Sequence, residues 1–179
     1  RFLAFSSITQ AGFMMLGFVN NGALGMTTIV YFMLIYAFSN LAVFGVLSIV
    51  VNATGKENMD DFNGFYKTNP GLSLILLLAL FSLAGIPPVA GFFGKFFLFT
   101  AAAAKGYFIL VLIAVLNATI SLYYYLLVVK AMFINKNETP IAALPVSGYE
   151  RLALTLCFAG IVIIGFISSI YDYVQQVTG

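Results

Sequence analysis

Apolar residues run along this chain in long unbroken blocks rather than in the one-face pattern of helices on a soluble core. Five blocks approach or exceed the roughly 20 residues that a helix needs to cross a bilayer: 2–19, 23–51, 71–104, 107–133 and 149–173. Polar breaks separate them, reading "NNG", "NATGKENMDDFNGFYKTNP", "AKG" and "INKNETPIAALPVSG". The pattern predicts an all-α integral membrane protein of about five transmembrane helices, a single helical domain over 1–179.

The third block departs from the others. About 34 residues at 1.5 Å each make a helix of roughly 50 Å, against a hydrocarbon core of about 30 Å. It must tilt, bend or break, and "LAGIPPVAGFFGKFFLF" says where. Pro87 and Pro88 lack amide hydrogens, so they release carbonyls near Leu83 and Ala84, while Gly85 and Gly91 loosen the flanks. Backbone freed at membrane depth is tolerated only where protein covers it or water reaches it. The expectation is a third helix broken at Pro87–Pro88 beside a hydrated interior.

Composition agrees with the pattern. The chain is 62% hydrophobic and 8% charged, where a soluble domain is about one-quarter charged, and its mean hydropathy is +1.05. A net charge of +2, with no basic stripe, excludes a nucleic-acid partner. There is no histidine and one cysteine, Cys157, in an apolar run. The usual ligands of zinc, haem and iron–sulfur clusters are therefore missing, as are a serine–histidine triad and an internal disulfide. No metal or cofactor site is expected. The opening "RFLAFSSITQ" has neither an initiator methionine nor a small-residue cleavage site, so it reads as part of a longer chain rather than a signal peptide.

Charges in the connections set an orientation. With alternating crossings, Arg1, Lys56, Lys67, Lys130, Lys136 and Arg151 fall at one face and Lys105 at the other. The first face is expected to be cytoplasmic, with Lys130 an anchor there and the C-terminus on the far side.

Lys95 is the candidate for chemistry. One reading has it snorkel, lifting its ammonium to the interface. The preferred one follows from its position: a run of apolar or small residues continues through Ala104, and the prolines precede it by under two turns. Ionisable residues inside membranes usually face a bundle interior and mark ion or proton pathways. Since desolvation disfavours the charged form of an amine, a lysine there can gain and lose a proton, with water entering at the break. Neighbouring blocks carry polar positions that fit such a path. Tyr36 and Asn40 lie one turn apart with Ser39 adjacent, and Tyr31 a little over one turn before. Ser6, Ser7, Thr9 and Gln10 interrupt the first block; Asn117, Thr119, Ser121 and Tyr124 interrupt the fourth. Each is open to the plainer reading of an interhelical hydrogen bond.

"RFLAFSSITQAGFMMLG", "YFMLIYAFSNLAVFGVLSIV", "DDFNGFYKTNPGLSLILLLALFSLAGIPPVAGFFGKFFLF" and "ISLYYYLLVVKAMF" resemble, in that order, the C-terminal part of the antiporter-like membrane subunits of proton-pumping NADH:quinone oxidoreductase, respiratory complex I. The resemblance covers nearly the whole chain and is most specific over Leu83 to Phe99. Other branches of the family tend to carry histidine and lysine on the helix matched by Tyr31 to Val46; Tyr36 and Asn40 stand there here, which resembles the N-type branch and its chloroplast counterpart.

The resemblance implies a fourteen-helix antiporter-like fold of two inverted five-helix repeats, of which this chain matches the tenth to fourteenth helices. Lys95 would then be the lysine of the broken twelfth helix, releasing protons on the periplasmic side. Gly85, Pro87, Pro88 and Gly91 would form the break, and Tyr31, Tyr36, Ser39, Asn40 and Tyr124 the polar path. Flavin, iron–sulfur clusters and quinone would belong to other subunits. Partners would be the lipid bilayer, protons and water, and the other membrane subunits, an M-type antiporter-like neighbour among them, in a bacterial cytoplasmic membrane. Two alternatives remain: a subunit of a cation/proton antiporter of the same superfamily, and a purely structural module whose lysine bonds the carbonyls freed near Leu83 and Ala84.

Overall fold

The computed structural model describes residues 2–20, 22–167 and 169–178; Arg1 of the orientation argument lies outside them. Among the described residues the secondary structure is entirely helical: α1 Phe2–Val19, α2 Ala23–Thr54, α3 Phe65–Thr68, α4 Pro70–Ala84, α5 Ala90–Ala104, α6 Phe108–Phe133, α7 Gly148–Phe166 and α8 Ser169–Thr178, with a short 3₁₀ turn at Met59–Phe62. Four of these, α1, α2, α6 and α7, are long and apolar enough to span a membrane, and α4 and α5 are shorter apolar helices in tandem.

α2 is the axis of the bundle, packing against α1, α4, α5, α7 and α8. Its Ala42, Val43, Val46 and Val50 are fully buried against Ala79 and Leu80 of α4. The outside is apolar too. α6 turns Phe108, Ile109, Leu112, Ile113, Leu116 and Ile120 outward, which would be costly in water and is the expected arrangement for a helix facing hydrocarbon or another apolar surface.

The third block breaks at the prolines. α4 begins with Pro70, whose missing amide hydrogen costs nothing in a first turn, and it ends in a left-handed Gly85 at φ 82°. The Gly85 amide donates to Ser82 O and the Ile86 amide to Phe81 O, the paired bonds of a Schellman stop. The chain restarts as α5 after Val89.

The fifth block differs from expectation. One helix over 149–173 was predicted, yet α7 ends at Phe166, Ile167 is extended at φ −104° and ψ 96°, and α8 restarts at Ser169. No proline marks the place. The Tyr31 hydroxyl of α2 donates to Ile164 O at 3.2 Å, occupying a carbonyl that a continuous helix would use itself. Gly165 lies against the Ala90 backbone, where a Cβ would sit 2.8 Å from the amide nitrogen.

The two longest connections meet at one end. The Gly64 amide donates to Ala131 O at 3.0 Å, Asn135 Nδ2 donates to Asn63 Oδ1 at 2.8 Å, and Asn69 holds the stretch before α7 by donating to Ala142 O and accepting from the Leu144 amide. Ser147 and Glu150 then form a capping box that starts α7. Lys56, Lys67, Lys130 and Lys136 belong to this end, and Lys105 to the short link between α5 and α6.

A buried lysine in the crook of a broken helix

The break creates a specific set of acceptors. A continued helix would bond Leu83 O to the amide of residue 87 and Ala84 O to that of residue 88, but both residues are proline. The Schellman stop satisfies Phe81 O and Ser82 O and leaves the next two carbonyls open. Lys95 fills them. Reaching back from the second turn of α5, its Nζ donates to Leu83 O at 2.7 Å and to Ala84 O at 3.1 Å.

Two glycines make room. A Cβ at Gly85 would stand 3.0 Å from Lys95 Cδ, in a left-handed conformation that side chains disfavour. A Cβ at Gly91 would collide with the Ser82 backbone, so only glycine lets α5 fold back so closely on α4. The lysine is 5% exposed, and among the described residues it is the one buried charged side chain. Its nitrogen lies 4.8 Å from the centroid of the Phe13 ring, a cation–π contact. Among the described residues no salt bridge accompanies it, and its hydrogen-bond acceptors are carbonyl oxygens.

A second donor shares the cradle. Gln10 of α1, 1% exposed, donates from Nε2 to Leu83 O at 2.9 Å and to the Tyr125 hydroxyl at 3.1 Å. Tyr125 is in turn hydrogen-bonded to Ser6 Oγ. Four helices therefore converge: α1 through Ser6 and Gln10, α4 through its carbonyls, α5 through Lys95 and α6 through Tyr125.

The expected polar path is only partly of this form. Ser39 is buried and bonds Ile35 O and, at 2.7 Å, the hydroxyl of Ser82, a separate contact between α2 and α4. Tyr31 is buried against α7 and α8, edge-on to Tyr171 and Phe97. Tyr36 is half-buried between the two apolar clusters of the bundle, and Asn40 is half-buried on α2. No hydrogen bond among the described residues joins these four to the lysine cradle.

Tyr124 is a correction. It is 47% exposed, with its ring near Phe2 and Tyr123, and Tyr125, at 1%, takes the interior place. One residue is about 100° of helix rotation, and three consecutive tyrosines with apolar residues on all sides offer no hydrophobic stripe to set the phase. Asn117 and Thr119 likewise bond their own helix, at Ile113 O and Val115 O, rather than the interior. Gln10 and Ser6, one turn apart on one face, were the signal that could have located the fourth helix of the site.

The transmembrane family described as NADH:quinone oxidoreductase/Mrp antiporter matches residues 1–121, more than half of the chain. The chain belongs to this family. Among curated relatives, NADH-quinone oxidoreductase subunit N of Azobacteroides pseudotrichonymphae genomovar. CFP2 is 50% identical over 180 residues, covering 99% of this chain and 38% of its own length. Subunit N of Phocaeicola vulgatus is 53% identical over 177 residues, covering 98% and 38%. In structure, a chain of respiratory complex I from Thermus thermophilus with bound Aureothin superposes with a TM-score of 0.82 at 29% identity, covering 99% of this chain and 40% of that one. The chain thus spans about two-fifths of the length of the relatives it matches, and it is a multi-pass membrane protein of the antiporter-like type.

Proposed function

We propose that this chain forms part of a proton-translocating subunit of the N type in NADH:quinone oxidoreductase, and that Lys95 carries the proton. The observation that supports this reading most directly is a buried amine with no carboxylate partner among the described residues, held by two carbonyls that the broken helix cannot satisfy itself. Hydrogen bonds to a charged group contribute about 1.5–3 kcal/mol each, so two of them offset about 3–6 kcal/mol. Burying an ion costs several kcal/mol even after relaxation. Gain and cost are of similar size, so the charged form is tolerated without a counter-ion among the described residues to lock it. Changes in nearby charge, or a membrane potential worth about 2.3 kcal/mol per charge per 100 mV, then suffice to load or release the proton.

In this reading the subunit is the non-redox part of a translocase, lying in the bacterial cytoplasmic membrane with the lysine-rich end toward the cytoplasm. Flavin, iron–sulfur clusters and quinone are the business of other subunits, and an M-type antiporter-like subunit is a neighbour. Water admitted at Gly85–Val89 passes the proton, with Tyr31, Tyr36, Ser39 and Asn40 shaping the packing around it. The 50% and 53% identities to subunits named N favour this over an independent cation/proton antiporter.

A second reading has direct support from the same bonds: Lys95 as a packing lysine that satisfies Leu83 O and Ala84 O and nothing more. Replacing Lys95 with methionine in the full-length subunit separates them. The proton role predicts an assembled complex with lost pumping; a packing role predicts failed assembly, or an assembled complex that pumps as before.

A further inference from the structure

Leu83 O receives two donors, Lys95 Nζ at 2.7 Å and Gln10 Nε2 at 2.9 Å. A carbonyl has two lone pairs, so both bonds can be made at once. Since that oxygen only accepts, the amide nitrogen of Gln10 must face it, and the orientation of the side chain follows. The second hydrogen of the same nitrogen goes to the Tyr125 hydroxyl, which therefore accepts from Gln10 and shares a further hydrogen bond with the Ser6 hydroxyl. Ser6 and Tyr125 line a groove of about 510 Å³ between α1 and α6, together with Thr9, Asn117, Ser121 and Tyr124. The polar chain thus runs from Lys95 to an open surface.

It does not conduct protons along its length. A relay needs groups that accept a proton on one side and give one up on the other, and a backbone carbonyl followed by a carboxamide N–H does neither at ordinary pH. Its parts are all fixed in place: Gln10 is 1% exposed and Ser6 7%, and Tyr125 is fully buried. Such a chain orients rather than transfers. It also keeps Leu83 O bonded whenever Lys95 turns away, so that the amine can leave the carbonyl without orphaning it.

We propose that Gln10 is a positioning residue for Lys95: its amide pins the Leu83 carbonyl, and with it the lysine, while standing as a non-relaying block between Lys95 and the hydroxyls of Tyr125 and Ser6 on the α1/α6 groove. The proposal rests on the reading of Lys95 as the proton-carrying group.

The test uses the full-length subunit in its assembled complex, with Gln10→Met, Gln10→His, Tyr125→Phe and Lys95→Met compared for assembly and for protons pumped per NADH oxidised. Gln10→Met keeps the length and removes the donors; the expected result is normal assembly with pumping lowered between about 5- and 100-fold, the range for a displaced reacting group. Gln10→His puts a ring N–H within reach of the same carbonyl and should regain most of the pumping. Tyr125→Phe releases one of the two bonds and should give a smaller loss, with the Gln10→Met/Tyr125→Phe double variant no worse than Gln10→Met alone. Wild-type pumping in Gln10→Met, with Lys95→Met inactive, overturns the role of Gln10 alone. Wild-type pumping in Lys95→Met overturns both readings. Defective assembly in Gln10→Met, cured by histidine without recovery of pumping, makes Gln10 a structural support and also overturns the proposal.

Discussion

Two helices of this bundle are interrupted inside the apolar layer, and they solve the same problem with different chemistry. Between α4 and α5, two prolines remove two amide donors, and the stranded carbonyls are taken by a charged amine and a carboxamide. Between α7 and α8 there is no proline, and the Ile164 carbonyl is taken by the neutral hydroxyl of Tyr31. The interruptions touch, Gly165 of one lying on Ala90 of the other. A neutral hydroxyl is a permanent fix, since a tyrosine far from alkaline pH has one state. An amine has two, so under the proposed proton role the break held by Lys95 is the one that switches.

That contrast can be broken most severely at the glycines. Gly91→Val sets a branched side chain into the Ser82 backbone, which neither helix can yield to without separating. Overpacking usually costs 1–3 kcal/mol and more where backbone is struck, so a loss above about 3 kcal/mol is expected, seen as absence of the subunit from the assembled complex on native gels. Lys95→Met comes next. It leaves Ala84 O without its donor while Gln10 still holds Leu83 O, for a loss of about 1–3 kcal/mol, readable as a lowered midpoint in denaturant with the complex still formed.

Tyr31→Phe removes one neutral bond from the other break and should cost about 1 kcal/mol, measured in the same titration; a loss equal to that of Lys95→Met would erase the distinction drawn between the two breaks. The smallest effect is expected at Tyr124→Phe, on the outside of α6, within about 0.5 kcal/mol. Tyr125→Phe, one residue on, forfeits two buried bonds and should exceed it clearly. Equal effects at the two tyrosines would mean that α6 is rotated from the orientation described.

Much of the architecture was legible because a membrane imposes few options: apolar runs of the right length become helices, and polar connections mark their ends. The proline break was readable for the same reason, since Pro87 and Pro88 remove donors whatever surrounds them. The break at Ile167 was not, because it depends on Tyr31 reaching across from α2, more than 130 residues earlier in the chain. Helix phase was the other blind spot. In soluble helices an apolar stripe tells inside from outside, but here both sides are apolar, and "YYY" could not say which tyrosine turns inward.

Residue identity alone therefore determined where backbone donors are missing, that Lys95 sits among apolar residues, and which segments are helical; these follow from covalent structure and from the lack of competing partners in hydrocarbon. Only tertiary structure decided what the lysine meets. Its surroundings, Leu83 and Ala84 on the preceding helix, Phe13 and Gln10 on the first, and Tyr125 behind Gln10, lie on three other helices of the chain, and hydrogen bonds act over about 3 Å. Which donors and acceptors come that close depends on the rotation and crossing of every helix, which no single segment carries.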